Sequence, residues 1–163
     1  MSIRFVMAAG ALAACVLPSS LSAQVLMQRD VSLAMGLAAA TAAVEECAKA
    51  GNDVSVAVVD RAGRLRVFLQ GDRASPHNIE LARRKAYTAR TFNRPSGEWA
   101  ERTGPTSEVA GQRQLSDVIP LRGGVPIKVG NDTIGAIGVS GSSSEGDENC
   151  AKAGVAKVAD QLK

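Results

Sequence analysis

The only histidine of this 163-residue chain, His77, lies near the start of a basic stretch over residues 71–92. Imidazole groups coordinate metal ions and transfer protons near neutral pH. The basic residues close to it, whose side chains can pair with carboxylate groups, are Arg73, Arg83, Arg84 and Lys85. Together they indicate a site for a metal or an acidic ligand. The simpler alternatives are a surface or capping histidine, and basic side chains that face solvent or another subunit.

Aromatic residues make up only 3% of the chain, and three of them follow His77, namely Tyr87, Phe92 and Trp99. Large flat side chains can form the wall of a site for a flat apolar ligand. Ordinary packing in the core is the alternative interpretation of the same three residues.

Other chemistries find little support in the motifs. The chain lacks a CxxCH motif for a covalently attached cofactor. Glycines 135, 138 and 141 are spaced GxxGxxG, whereas dinucleotide sites use GxGxxG. No acid and base residues show the spacing of a catalytic pair, which favours binding over catalysis. The net charge of +3 is too small to indicate nucleic-acid binding.

The first 23 residues have the composition of a signal peptide. Arg4 precedes an apolar run over residues 5–17, and small polar residues follow up to Ala23. The run is too short to span a bilayer, which needs about 20 residues, so no membrane span is expected. A lipoprotein signal ending at Cys15 is the less favoured alternative. Either pattern predicts export, to the periplasm or the medium.

Removal of residues 1–23 leaves two cysteines, Cys47 and Cys150. An even number of cysteines in an exported protein favours a disulfide bond. Two buried free thiols are the alternative.

Hydrophobic periodicity predicts the elements that must position these residues. A helix is expected over residues 31–50, and the residues predicted to form its buried face are Leu33, Leu37, Ala40, Val44 and Cys47. Two strands over residues 54–59 and 65–69 follow as a hairpin. Ser75 is the predicted N-cap of a second helix with Pro76 at its first position. The apolar face of that helix is expected to contain Ile79, Ala82, Ala86 and Ala89.

The second half of the chain is expected to complete an antiparallel sheet. Residues 98–102 predict a short helix, and residues 103–124 a functional loop or a partly helical lid. Strands are expected over residues 125–129 and 133–139. The GSSSEGD sequence at 141–147 predicts a flexible loop and a cap at Asp147 for the last helix, with an anion site as the alternative.

Four sequence blocks carry a family resemblance. They are SVAVVDRAGRLRVFL at 55–69, ARRKAYTA at 82–89, GGVPI at 123–127, and IGAIGVSG at 134–141 with Asp147-Glu148 after it. In this order and spacing they resemble the GlcG/HbpS family of haem-binding proteins, also called the haem-degrading or DUF336 domain. The resemblance implies one domain over residues 24–163. It implies a profilin-like α+β fold, a five-stranded antiparallel sheet flanked by helices, and homo-oligomers.

The resemblance also implies a ligand, haem or a related tetrapyrrole. On this basis we expect an exported protein that sequesters, carries or senses haem without a covalent bond. His77 is the expected iron ligand. The residues expected to pair with the propionates are Arg73, Arg83 and Arg84, and those expected to wall the macrocycle are Tyr87, Phe92 and Trp99. An enzyme that acts on haem, or on a small organic acid, is the alternative.

Overall fold

A four-stranded antiparallel sheet separates two helical layers in the computed structural model, which describes residues 23–163. Its strands are β1 (Ser55–Val59), β2 (Leu65–Gln70), β3 (Gly124–Val129) and β4 (Asp132–Ser140), in the order β2-β1-β4-β3. Hairpin turns join β1 to β2 and β3 to β4, and the central β1–β4 pair joins the two hairpins. The predicted signal peptide, except for its last residue, and Cys15 lie outside the described residues.

The helices lie on both faces of this sheet. They are α1 (Leu33–Lys49), α2 (Asn78–Phe92), α3 (Ser96–Arg102) and α4 (Ser144–Lys157). Helices α1 and α4 pack together on one face, and α2 packs against β1, β3 and β4 on the other. Because side chains alternate along a strand, Val56 and Val58 of β1 join the core under α1 and α4, whereas Val59 contacts the α2 side.

The buried face of α1 differs from the predicted one. Leu33 and Leu37 are exposed, and the residues that are buried in this helix are Gly36, Ala39, Ala40, Ala43 and Cys47. Small side chains allow close approach: a Cβ at Gly36 would lie only 3.0 Å from Cγ2 of Val67. The helix therefore packs through its smallest residues, and the prediction from leucine periodicity was wrong for both leucines.

Helix α2 approaches the sheet even more closely. A Cβ built at Gly138 of β4 would lie 2.2 Å from the carbonyl oxygen of Ala82 and 2.5 Å from the amide nitrogen of Ala86. The alanines predicted to be buried in α2 are indeed buried, but Ile79 is 45% exposed. This tight contact fixes α2 on the sheet, and with it the residues at the start of the helix.

The expected fifth strand is absent from residues 23–163. The segment ahead of β3 bonds to α2 instead of extending the sheet. The Ile119 N–H donates to Oγ1 of Thr88 at 2.9 Å, Arg84 donates to the Val118 carbonyl at 2.6 Å, and Pro120 has no N–H to offer. The region 103–124 is partly helical as predicted, with a short 3-10 helix over Ala110–Gln114.

The predicted disulfide bond joins Cys47 at the end of α1 to Cys150 in α4, with the two Cα atoms 5.6 Å apart. It ties the two helices of one layer together across 103 residues of sequence. Within the part of the chain that the structure describes, no helix is long and apolar enough to cross a membrane.

Candidate functional site

His77 lies at the N-terminal end of α2, between two cavities that both include it in their walls. The predicted Ser75 cap is not formed. Ser75, Pro76 and His77 make a turn in which the Asn78 and Ile79 N–H groups donate to the Ser75 and Pro76 carbonyls. Helix α2 begins two residues later than predicted, at Asn78, with His77 in the cap position and no side-chain cap bond. This turn holds the imidazole at the molecular surface.

The first cavity, which we call the apolar groove, has a volume of about 390 Å³. Its lining residues come from β2 and from the start of α2: Leu65, Phe68, Pro76, His77, Ile79, Glu80 and Arg83. Leu65 and Ile79 are 51% and 45% exposed, so the groove presents large apolar side chains to solvent. An exposed apolar surface of this kind, next to a few polar groups, is typical of a ligand or partner site.

Arg83 is the predicted carboxylate-binding residue that lines the groove. Its Nη2 lies 2.6 Å from Oδ1 of Asp117, and both side chains are more than a third exposed. Exposed ion pairs of this type contribute about 0–1 kcal/mol, so a ligand carboxylate can replace Asp117 at little cost. His77 and Arg83 both line the groove, and their roles as ligand residues stay a prediction.

The other predicted basic residues lie apart from the groove walls. Arg73 is largely exposed and pairs with Asp53. Arg84 donates to the Val118 carbonyl and pairs with Glu80 at 3.0 Å, so its guanidinium holds the segment ahead of β3.

The three aromatic residues are also remote from His77. Phe92, the last residue of α2, and Trp99 of α3 stack with their ring centroids 4.7 Å apart, and α2 is about 22 Å long. Trp99 is buried and donates to Oε1 of Gln112 at 3.3 Å. The Tyr87 ring lies against Gly63, where a Cβ would be 2.9 Å from Cε2. These residues pack the fold, and their part in ligand binding stays a prediction.

The second cavity, which we call the polar cavity, has a volume of about 340 Å³. Its polar lining residues come from the start of α2 and the β4–α4 connection, and are Ser75, His77, Asn78, Lys85, Ser140, Ser142, Ser144 and Asp147. Leu81 and Leu121 add an apolar patch. Lys85 had been grouped with the carboxylate-binding arginines, but its side chain is buried in this separate cavity.

A buried ion pair lies in the wall of the polar cavity. Nζ of Lys85 lies 2.7 Å from Oδ2 of Asp147, and each side chain is only 4% exposed. Nζ also donates to the Val139 carbonyl at 3.0 Å, and the Ser142 N–H donates to Oδ1 of Asp147 at 2.9 Å. Burial raises the pKa of the Asp147 carboxyl above its usual value, while the hydrogen bond from Lys85 opposes that rise.

Asp147 does not cap α4, so that prediction was wrong. Ser143 is the N-cap, its Oγ accepting from the Gly146 N–H at 3.0 Å, and residues 144–146 are helical rather than a flexible loop. Asp147 lies in the first turn, where its side chain turns back towards Lys85. One signal for the pair was present in the sequence: Lys85 lies one helical turn from the buried Ala82 and Ala89, on the face that packs on the sheet.

Metal binding by clustered side chains has no support in residues 23–163, where no group of three His, Cys, Asp or Glu residues comes together. A metal at His77 would therefore need ligands from elsewhere, such as those of a cofactor.

Comparison with known proteins gives consistent matches. The family model described as "Haem degrading protein HbpS-like" matches residues 31–156. The protein GlcG of Escherichia coli K12 is 34% identical over 118 residues, which is 70% of this chain and 85% of GlcG.

Solved structures show the same architecture. A double mutant of HbpS from Streptomyces reticuli is 35% identical and superposes with a TM-score of 0.78, covering 86% of this chain and 97% of HbpS. A complex of PduOC with haem is 27% identical with a TM-score of 0.73, covering 77% of this chain and 93% of PduOC.

Proposed function

Because the chain belongs to the HbpS-like family of haem degrading proteins, we propose that it binds haem non-covalently in the apolar groove beside His77. The observation that carries this proposal is the conjunction of an exposed apolar groove, an imidazole and a guanidinium at one end of α2. A structural relative, PduOC, has been solved as a haem complex, which supports the same ligand class.

The apolar walls of the groove fit the flat macrocycle of haem. Leu65, Phe68 and Ile79 offer side chains from a strand and a helix, and a ligand laid across them removes their apolar area from water. Each Å² of apolar surface buried in this way contributes about 25 cal/mol. These residues supply affinity without fixing the orientation of the ligand.

Orientation would come from the two polar groups. His77 would coordinate the iron, and Arg83 would exchange its exposed partner Asp117 for a propionate. When bound, haem supplies an iron centre that can take further ligands or electrons. Arg73, Arg84, Tyr87, Phe92 and Trp99 remain candidates for secondary contacts, for example in an assembly where another subunit adjoins the groove.

Export and self-association form part of the same proposal. The signal-like residues 1–23 and the disulfide between Cys47 and Cys150 support a protein of the periplasm or the medium. Exposed apolar residues on the first part of the chain support a homo-oligomer, and they are Val25, Leu26, Met27, Leu33 and Leu37. In that setting the protein would sequester, carry or sense haem.

The groove is tested by haemin titration of an Ile79→Glu variant followed by absorbance. A carboxylate at this position would oppose both the apolar macrocycle and its propionates, so we expect the affinity for haemin to fall at least tenfold. Leu115→Glu is the matched control, because Leu115 is 53% exposed, close to the 45% of Ile79, and lines neither cavity. Equal affinities of the Ile79→Glu variant and the wild type would place haem elsewhere.

Haem degradation is a second candidate, raised by the description of the matching family model. The same titration separates the two functions when a reductant and oxygen are added. A binding protein keeps the absorbance of its bound haem, whereas a degrading enzyme removes the absorbance of many equivalents of haem per subunit.

A further inference from the structure

The polar cavity has no part in the proposed haem site, yet it contains the most deeply buried charges of the described chain. Lys85 and Asp147, both 4% exposed, form its wall. Burying an ion pair costs more in desolvation than a well-packed apolar pair would, so stability alone gives little reason for it. A buried pair beside an open cavity is instead typical of a functional site.

The ammonium of Lys85 has bonding capacity left for a ligand. A lysine ammonium has three N–H donors. Among residues 23–163, two acceptors are found for Nζ: Oδ2 of Asp147 at 2.7 Å and the carbonyl oxygen of Val139 at 3.0 Å. Both oxygens of Asp147 are in turn occupied, by Lys85 and by the Ser142 N–H. The arrangement holds the ammonium in place and leaves one donor for an oxygen atom of a ligand.

A second pair of polar residues lines the same cavity, at the first residue of α2 and the last of β4. Oγ of Ser140 lies 3.2 Å from Oδ1 of Asn78, and both residues are buried. The Asn78 side-chain NH2 has no acceptor in the described part of the chain, although it is not among the fully sealed polar atoms. It can therefore donate to a hydroxyl or carbonyl oxygen, and Leu81 and Leu121 can contact a short carbon skeleton.

We propose that the polar cavity binds a small organic carboxylate that carries a hydroxyl or carbonyl oxygen. Lys85 donates to the carboxylate, and the NH2 group of Asn78, whose Oδ1 accepts from Ser140, donates to the second oxygen. Asp147 is a positioning residue, since it holds the Lys85 ammonium and accepts from the Ser142 N–H of the β4–α4 connection. The cavity volume of about 340 Å³ leaves room for such a molecule. This site does not depend on the proposed haem site, although His77 lies in the walls of both cavities.

The ligand class is tested by calorimetric titration of the wild-type protein with two matched pairs of acids. Lactate and malate differ from propionate and succinate only by a hydroxyl group. We expect each hydroxylated acid to bind at least tenfold more tightly than its partner, because the deoxy acid offers no acceptor to the NH2 group of Asn78. The absence of binding heat with all four acids, or equal affinities within both pairs, would overturn the proposal.

The residue assignment is tested with the double variant Lys85→Met/Asp147→Leu, which removes both charges and leaves neither unpaired in the interior. We expect it to lose at least tenfold in affinity for malate. Lys128→Met, which removes one exposed positive charge on β3, is the control and should bind malate as the wild type does. Unchanged malate affinity in the folded double variant would overturn the role of Lys85.

Two further measurements test the site independently of the double variant and distinguish it from the haem site. Asn78→Ala leaves the ion pair intact and should abolish the preference for malate over succinate even if the double variant fails to fold. Haemin titration of the same variants separates the two sites. Loss of malate binding with unchanged haemin affinity supports a separate carboxylate site, whereas loss of haemin binding alone contradicts the present assignment.

Discussion

Replacing Lys85 by methionine is expected to destabilise the fold by about 3–5 kcal/mol, the usual cost of breaking a buried ion pair from one side. Methionine has nearly the same length, so the change removes the charge without opening a large cavity. It leaves the carboxylate of Asp147, 4% exposed, with backbone N–H groups of Gly141 and Ser142 but without a positive charge beside it in the described chain. The loss would therefore come from an uncompensated charge and not from lost packing.

The loss of stability caused by Lys85→Met should grow as the pH rises. Burial already raises the pKa of Asp147 above 3.8, and removing Lys85 takes away the hydrogen bond that opposes the rise. A carboxyl with a higher pKa in the folded chain binds more protons when folded, so stability falls as the pH rises between the unfolded and folded values. The steepest fall is about 1.4 kcal/mol per pH unit. The variant should be less destabilised at pH 5 than at pH 8.

Urea denaturation at these two pH values measures the effect. With a denaturant dependence of about 2 kcal/mol per M, a loss of 4 kcal/mol lowers the midpoint by about 2 M. The double variant Lys85→Met/Asp147→Leu should recover most of the loss, since it buries no unpaired charge. A loss below about 1 kcal/mol in Lys85→Met at pH 8 would refute the reasoning. A double variant that is no more stable than Lys85→Met would refute it as well.

Two further predictions concern the fold. Removing the disulfide with Cys47→Ala/Cys150→Ala should cost about 4 kcal/mol, because the bond spans 103 residues, and should lower the midpoint of thermal unfolding by about 10 °C; an unchanged midpoint would contradict it. Gly138→Ala should cost about 1–3 kcal/mol in urea denaturation, because its Cβ would lie 2.2 Å from the Ala82 carbonyl oxygen. Gly111→Ala, with no atom within 4 Å of the added Cβ, is the control and should change stability by less than about 0.5 kcal/mol; equal losses at both glycines would contradict the close helix–sheet contact.

Much of the fold could be predicted from the sequence because its strands and helix ends carry local signals. The β-branched run before Asp60 and the alternation after Arg64 gave β1 and β2 to within one residue. The buried faces of the helices were harder to predict. Packing of α1 depends on small residues such as Gly36, whereas leucine periodicity indicated Leu33 and Leu37. The fifth strand is implied by the family resemblance alone, and no segment of the sequence shows a pattern for it; the residues ahead of β3 bond to side chains of α2.

The candidate site could be predicted only where its residues are neighbours in sequence. His77 and Arg83 lie within two turns of one helix, and the structure places both in the apolar groove. Lys85 and Asp147 are 62 residues apart, and the acidic residue at the start of a helix resembled an ordinary cap. The two charges meet because α2 and α4, on opposite faces of the sheet, both contact β4.

The central proposal, haem held beside α2 by His77, is tested most directly by haemin titration of the wild type beside His77→Ala. The wild type should develop a Soret band at one haemin per subunit. The variant should bind at least tenfold more weakly and show a shifted band, because the iron loses its imidazole ligand, and added imidazole should restore the wild-type spectrum. An unchanged spectrum and affinity in His77→Ala would show that His77 is not the iron ligand.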